Sequence, residues 1–148
     1  MGLKEHILKI LWLSHLIPYP PKGGVLQRSH HLLKEIARYH TVDVLAFNQL
    51  ALMGSVFDSV EAGVQEARSV LGNICRRMEF FDIPIDRSFW ARYALAFRSL
   101  MDEPYNISWL KSHEFAAAIK NWLEEEEYDV VHFDTISLIP FFSFVPPT

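Results

Sequence analysis

Several things that would each have named a class are scarce or missing in this chain. A single cysteine, Cys75, stands in 148 residues. That excludes an internal disulfide and a cysteine-based zinc site, and it fits a reducing cytoplasm. Neither charge dominates: 14 Lys and Arg face 18 Asp and Glu, for a net charge of -4. Binding to a phosphate backbone needs clustered Lys and Arg, so no nucleic-acid partner is expected. No uncharged apolar run approaches the ~20 residues of a membrane span. The first such run, residues 7–13, is short, is interrupted by Lys9 and lacks the pattern of an export signal. The six glycines form neither G-x-G-x-x-G nor the Gly-Lys-Ser/Thr of a P-loop, which argues against nicotinamide and ATP sites. The histidines include no His-Glu-x-x-His pair, and the adjacent His30 and His31 point to different faces of a helix. Neither a metal site nor a cofactor is expected. Cys75, beside Arg76 and Arg77 with no visible partner, reads as structural.

What is present is an alternation of strand and helix patterns. Residues 7–14 form an apolar strand, as expected where both faces of a parallel sheet are covered. A loop rich in proline and glycine follows over residues 15–24. The spacing predicts a helix over 25–39, with Val25, Leu26, Leu32, Leu33 and Ile36 on its buried face. A second strand is predicted over 41–47, while 48–57 is ambiguous. A helix over 58–74 and a strand over 78–83 come next, then an aromatic-rich helix over 88–101 and a break at 102–106. Ser112 is placed to cap a helix running to about residue 127, which buries Phe115, Ile119, Trp122 and Leu123. The run Glu124 to Glu127 at its end reads as a solvated face. A fourth strand covers 129–133, and an apolar segment spans 136–144. This order predicts an α/β three-layer Rossmann-like sandwich with a mainly parallel sheet. Ligands in such folds bind outside the carboxyl ends of the strands, where the strand order switches. Attention therefore falls on the segments after strands one and four.

In the first segment, Pro21-Lys22-Gly23-Gly24 leads directly into a helix. Glycines there admit a ligand close to the backbone, and the free first-turn amides favour an anion. Lys22 adds charge, Arg28 lies one turn on, and His15 sits just after the strand. The same loop also reads as a tight turn whose glycines serve geometry alone. In the second segment, His132 and Asp134 are two residues apart and share a face if the strand continues. Either could orient an acceptor hydroxyl or take its proton. Equally, His132 reads as a satisfied core histidine and Asp134 as a turn cap.

These segments carry a resemblance. Residues 10–14, the Pro18-Tyr19-Pro20-Pro21-Lys22-Gly23-Gly24 loop, Arg28, the paired Leu32-Leu33, the His40-Thr41-Val42-Asp43-Val44 string and Tyr128-Asp129-Val130-Val131-His132-Phe133-Asp134 follow one another in order. Together they resemble the opening of GT-B fold glycosyltransferases, closest to the large retaining family 4. The resemblance spans nearly the whole chain. It implies that residues 1–148 are the N-terminal, acceptor-side domain of a two-domain enzyme, with the C-terminal donor-binding domain and its Glu-x7-Glu pair absent. On this view the full enzyme moves a hexosyl group from a nucleotide sugar to a glycan or lipid-linked acceptor, with retention, in cell-envelope polysaccharide synthesis. The fragment alone should be inactive. By resemblance Gly23 and Gly24 line the interdomain cleft, with Lys22, Arg28 and His15 as binding residues and Asp134 and His132 as catalytic candidates. Relatives often carry His or Glu at the position of Asp134.

Phe89, Trp90 and Arg92 lie in a segment whose broad apolar face is bordered by arginines. That suits packing on the sheet with snorkelling Arg stems, or peripheral contact with the inner face of a membrane. A stand-alone Rossmann-like ligand-binding or regulatory module without catalysis is the alternative reading of the chain.

Overall fold

The computed structural model describes residues 6–87, 90 and 109–146. Four strands form one sheet: β1 (Lys9–Ser14), β2 (Thr41–Asn48), β3 (Arg77–Asp82) and β4 (Val130–Phe133). All pairings are parallel and the order is β3-β2-β1-β4. Trp12 lies opposite Val44 on one side and His132 on the other. The helices are α1 (Gly24–Ile36), α2 (Leu50–Val56), α3 (Val60–Leu71) and α4 (His113–Glu125). Two short 3-10 segments follow β3 and β4, Pro84–Arg87 and Ile136–Phe144.

The two-residue period of the strands sorts their side chains into two cores. Leu11, Leu13, Leu45 and Phe47 point to one face, covered by Phe115, Ile119 and Trp122 of α4 and by Leu138 and Phe141. Ile10, Trp12, Val42, Val44 and Ala46 point to the other, covered by Leu33 of α1, Met53 of α2, and Ala67 and Leu71 of α3. The result is a three-layer α/β sandwich of Rossmann-like type. Phe115 anchors the first core: it is fully buried, and its ring stacks on Phe47 with centroids 4.3 Å apart. Burying such a ring contributes about 1.5–3 kcal/mol from area alone. The apolar segment after β4 resolves by the three-residue period of a 3-10 helix. Leu138 and Phe141 turn inward, while Ile136, Ile139 and Phe142 turn outward and are exposed.

Local chemistry sets the helix starts. The Ser112 hydroxyl accepts from the Phe115 amide and Ser59 from the Ala62 amide, each satisfying a donor that the helix leaves open. The ambiguous stretch 48–57 is the short helix α2.

Two expectations need correction. Val25 and Leu32 of α1 are exposed, not buried. The buried stripe is Leu26, Ser29, His30 and Leu33, the i, i+3, i+4, i+7 set. His30 is accommodated there because its Nδ1 lies 2.8 Å from the Pro18 carbonyl and can donate to it. The run Glu124 to Glu127 is more than a solvated face. Glu126 accepts from Lys9 Nζ at 2.7 Å and from Arg76, and Glu125 pairs with Arg77 at 2.7 Å. The segment 88–101 expected to be helical, apart from Trp90, and the break expected at 102–106 lie outside the described residues, Phe89 and Arg92 among them; Trp90 is exposed.

The amino end of the sheet is fixed by a buried carboxylate. Asp43 accepts from Arg76 Nε at 2.9 Å, from Arg76 Nη2 and from the Tyr128 hydroxyl at 2.7 Å. This ties the starts of β2, β3 and β4 together. Burial, and then the Asp43 hydrogen bond, push the Tyr128 phenol well above its ordinary value. No helix among the described residues is long and apolar enough to cross a membrane.

Candidate functional site

The strand order reverses at β1. The chain steps outward from β1 to β2 and β3, then returns to place β4 on the other side of β1. The crevice between the carboxyl ends of β1 and β4 is therefore the place where this architecture binds ligands. Asp134 follows β4, His15 follows β1, and α1 begins nearby. Since β4 pairs in register with β1, Asp134 continues the ladder: its amide donates to the Leu13 carbonyl at 3.0 Å.

The Asp134 side chain is completely buried and four groups converge on it. Ser29 Oγ, one turn into α1, donates to Oδ2 at 2.7 Å. His15 Nδ1 lies 3.4 Å from the same oxygen, within ion-pair range but without hydrogen-bond alignment. Arg28 Nη2 donates to the Asp134 backbone carbonyl at 3.0 Å and reaches Oδ1 at 3.4 Å. Ser14 Oγ stands 3.3 Å from Oδ2, but its one proton goes to the Leu16 carbonyl at 2.6 Å. Burial alone would raise the Asp134 carboxyl. The contacts from His15 and Ser29, with the nearby Arg28 charge, outweigh it and hold the carboxyl below its ordinary value. At neutral pH the group is an anion walled off from water.

His15 is the member of this pair that lies nearer to solvent. Its side chain keeps 11% of its surface against none for Asp134, and among the described residues its Nε2 has no hydrogen-bond partner. A carboxylate against Nδ1 favours the tautomer that bears its proton there. Nε2 is then left as an acceptor for a ligand hydroxyl.

His132 shares the Asp134 face of the sheet and stacks at a tilt over Trp12, with centroids 4.0 Å apart. Burial lowers its pKa; the Asp134 charge opposes this and the Arg28 charge adds to it. It is neutral at pH 7, an imidazole packed on an indole.

Lys22, Gly23 and Gly24 are exposed at the start of α1. Gly23 sits at φ 75°, where L side chains are strained, and its carbonyl accepts the first helical bond from Gln27 at 3.0 Å. No side chain caps this helix, and a Cβ built on either glycine meets nothing within 4 Å. The first-turn amides therefore open to space. The Arg28 side chain is 62% exposed, and both of its hydrogen bonds to Asp134 run through Nη2.

The fold thus brings His15, Arg28 and Asp134 into contact, sets His132 beside them, and presents Lys22, Gly23 and Gly24 as an open rim. Ser14 and Ser29 complete the carboxylate's surroundings and were not singled out from sequence. Ser29 left a legible signal: a polar residue at i+3 from Leu26 and i-4 from Leu33, inside the apolar stripe. Ser14, ending an apolar strand, left a weaker one. Among the described residues no three His, Cys, Asp or Glu side chains converge to hold a metal ion. Compared with family models, with curated proteins and with solved structures, the chain gives no match.

Proposed function

We propose that this chain is the acceptor-side domain of a GT-B glycosyltransferase resembling family 4. Its partner is a C-terminal donor-binding domain. The complete enzyme moves a hexosyl group from a nucleotide sugar to a glycan or lipid-linked acceptor, with retention, at the cytoplasmic side of the cell envelope. The observation that carries this reading is the convergence of His15, Arg28 and the buried Asp134 at the switch point of the sheet. It stands beside the uncapped start of α1. Such an arrangement suits two tasks. His15, oriented by Asp134, accepts a hydrogen bond from an acceptor hydroxyl and polarises it. The amides of Gly24 and Val25, with Lys22 and Arg28, offer positive potential to a diphosphate. Asp134 acts through His15, because its own oxygens are sealed from a ligand.

Backbone amide NMR of the chain titrated with a nucleoside diphosphate and its sugar conjugate tests the second task. The reading expects saturable shifts at Gly23, Gly24 and Val25, weakened in Arg28→Ala. Shifts confined to other surfaces, or none, would overturn it.

A further inference from the structure

The two edges of the sheet differ in kind. β3 closes one side with Arg77, Glu79 and Asp82 among its residues, and Glu79 is exposed. Charges of this sort keep an edge from pairing with another chain. β4 closes the other side with Val130, Val131, His132 and Phe133, and carries no carboxylate, lysine or arginine. Among the described residues no strand pairs with its outer side. Parallel sheets are normally covered on both faces, yet the exposed apolar surface gathers here. Of the nine large hydrophobic side chains exposed among the described residues, six flank β4. Val130 points to the α1 face of the sheet, as does its register partner Ile10. Val25 and Leu32 share a stripe of α1 with Arg28, which reaches over to Asp134 at the end of β4. On the opposite face, Phe142 lies beside Phe133 with ring centroids 5.7 Å apart. Ile136 and Ile139 extend the same ridge at the three-residue period of their 3-10 helix.

An uncharged edge with apolar surface on both faces fits a strand that brings apolar cover on both faces, and this chain itself supplies one. We propose that two copies pair through β4, antiparallel, about a two-fold axis normal to the sheet. Such an axis sets each covering layer beside its own copy, so like apolar surfaces meet. It also restricts the register, because opposed residues on antiparallel strands must point to the same face. An axis at Val131 satisfies this. It sets Val131 opposite itself, Val130 opposite the second copy's His132, and Asp129 opposite its Phe133, so no carboxylate meets a carboxylate. An axis at His132 would instead set two imidazoles against each other, where paired valines pack better. The exposed parts of the six side chains and the strand edge come to on the order of 1,000 Å2 over both copies, the low end for a specific interface, which gives a micromolar dimer and not an obligate one. Because the strands run antiparallel, the two candidate sites lie at opposite ends of the joined sheet. The pairing is independent of the transferase reading, and either can fail alone.

The test is sedimentation velocity of the chain from roughly 1 to 200 μM, a range that spans the expected dissociation constant. The average mass should rise from monomer towards dimer. Val130→Lys and Ile139→Lys should each weaken association roughly tenfold or more, since both positions are exposed and a lysine at the edge opposes pairing. Glu79→Lys, on the other edge, should leave association unchanged. Val131→Cys should form a covalent dimer under mild oxidation, its Cβ standing about 5 Å from that of the second copy. Cys75 is buried and stays out of the reaction, and Glu79→Cys should stay monomeric. A monomer at every concentration overturns the proposal. A dimer that ignores both lysine variants overturns it too, as does one that cross-links through Glu79→Cys and not through Val131→Cys.

Discussion

Replacing Asp134 with Asn removes a buried negative charge and leaves the shape of the side chain almost unchanged. In the native protein that charge accepts a 2.7 Å hydrogen bond from Ser29 and is approached at 3.4 Å by both His15 and Arg28. The Arg28 contribution is small, because its side chain is 62% exposed and screened by water. The Ser29 bond is charge-assisted and His15 is mostly buried, so together they should contribute about 1–3 kcal/mol at neutral pH. At a denaturant slope typical of a domain this size, Asp134→Asn should lower the urea midpoint by roughly 1 M at pH 7. The pH dependence follows from the direction of the shift. The native carboxyl lies below its ordinary value, so at low pH the unfolded state binds the proton first. Asp134 therefore stabilises fully above the unfolded pKa of about 3.9, and this is lost as pH falls through the native value. Urea titrations followed by tryptophan fluorescence at pH 7 and near pH 3 should show the gap between wild type and variant narrowing in acid. An equal gap at both pH values, or a variant more stable than wild type at pH 7, would show that the Asp134 charge does not stabilise the fold.

Three other outcomes follow from the structure. Gly23→Ala places a side chain at φ 75° in open space. It should cost about 1 kcal/mol and lower the thermal midpoint by roughly 3–5 °C in calorimetry, while Gly24→Ala, with no positive φ, should leave it nearly unchanged. Asp43→Ala strips a fully buried carboxylate from Arg76 and Tyr128. It should cost about 2–4 kcal/mol in chemical denaturation, short of a fully buried pair because Arg76 is partly exposed and keeps Glu126. Cys75 is buried, and its thiol is pushed up to about 12, chiefly by burial and then by the Asp43 charge. A thiol reagent at pH 8 should modify it only at the rate of unfolding, and fast stoichiometric labelling of the folded protein would contradict its placement.

Much of the fold was legible in the sequence because strands buried on both faces leave continuous apolar runs and crossover helices leave capped, periodic ones. The runs in β1 and β2, the Ser112 cap and the buried Phe115, Ile119 and Trp122 could all be placed from pattern alone. The buried face of α1 could not, because two of its positions are polar: Ser29 and His30 are buried by partners from other elements, Asp134 and the Pro18 carbonyl. Pattern reading favours Val25 and Leu32 for that face, and it cannot see a hydrogen bond that crosses 105 residues. The same holds for Glu126, whose partners Lys9 and Arg76 are distant in sequence. For the candidate site, position was legible, since it follows from strand order. The sealing of Asp134 and the relative exposure of His15 were not, because both depend on the close approach of α1 to the end of β4.

In the proposed enzyme His15, held by Asp134, faces a reacting sugar. This is tested by release of nucleoside diphosphate from a panel of nucleotide sugars by this chain joined to the donor-binding domain that the proposal assigns to it. Turnover should fall by about two orders of magnitude or more in His15→Ala and by less in Asp134→Asn, with the fold retained in both. Turnover indifferent to His15, or none with any donor offered, would contradict it.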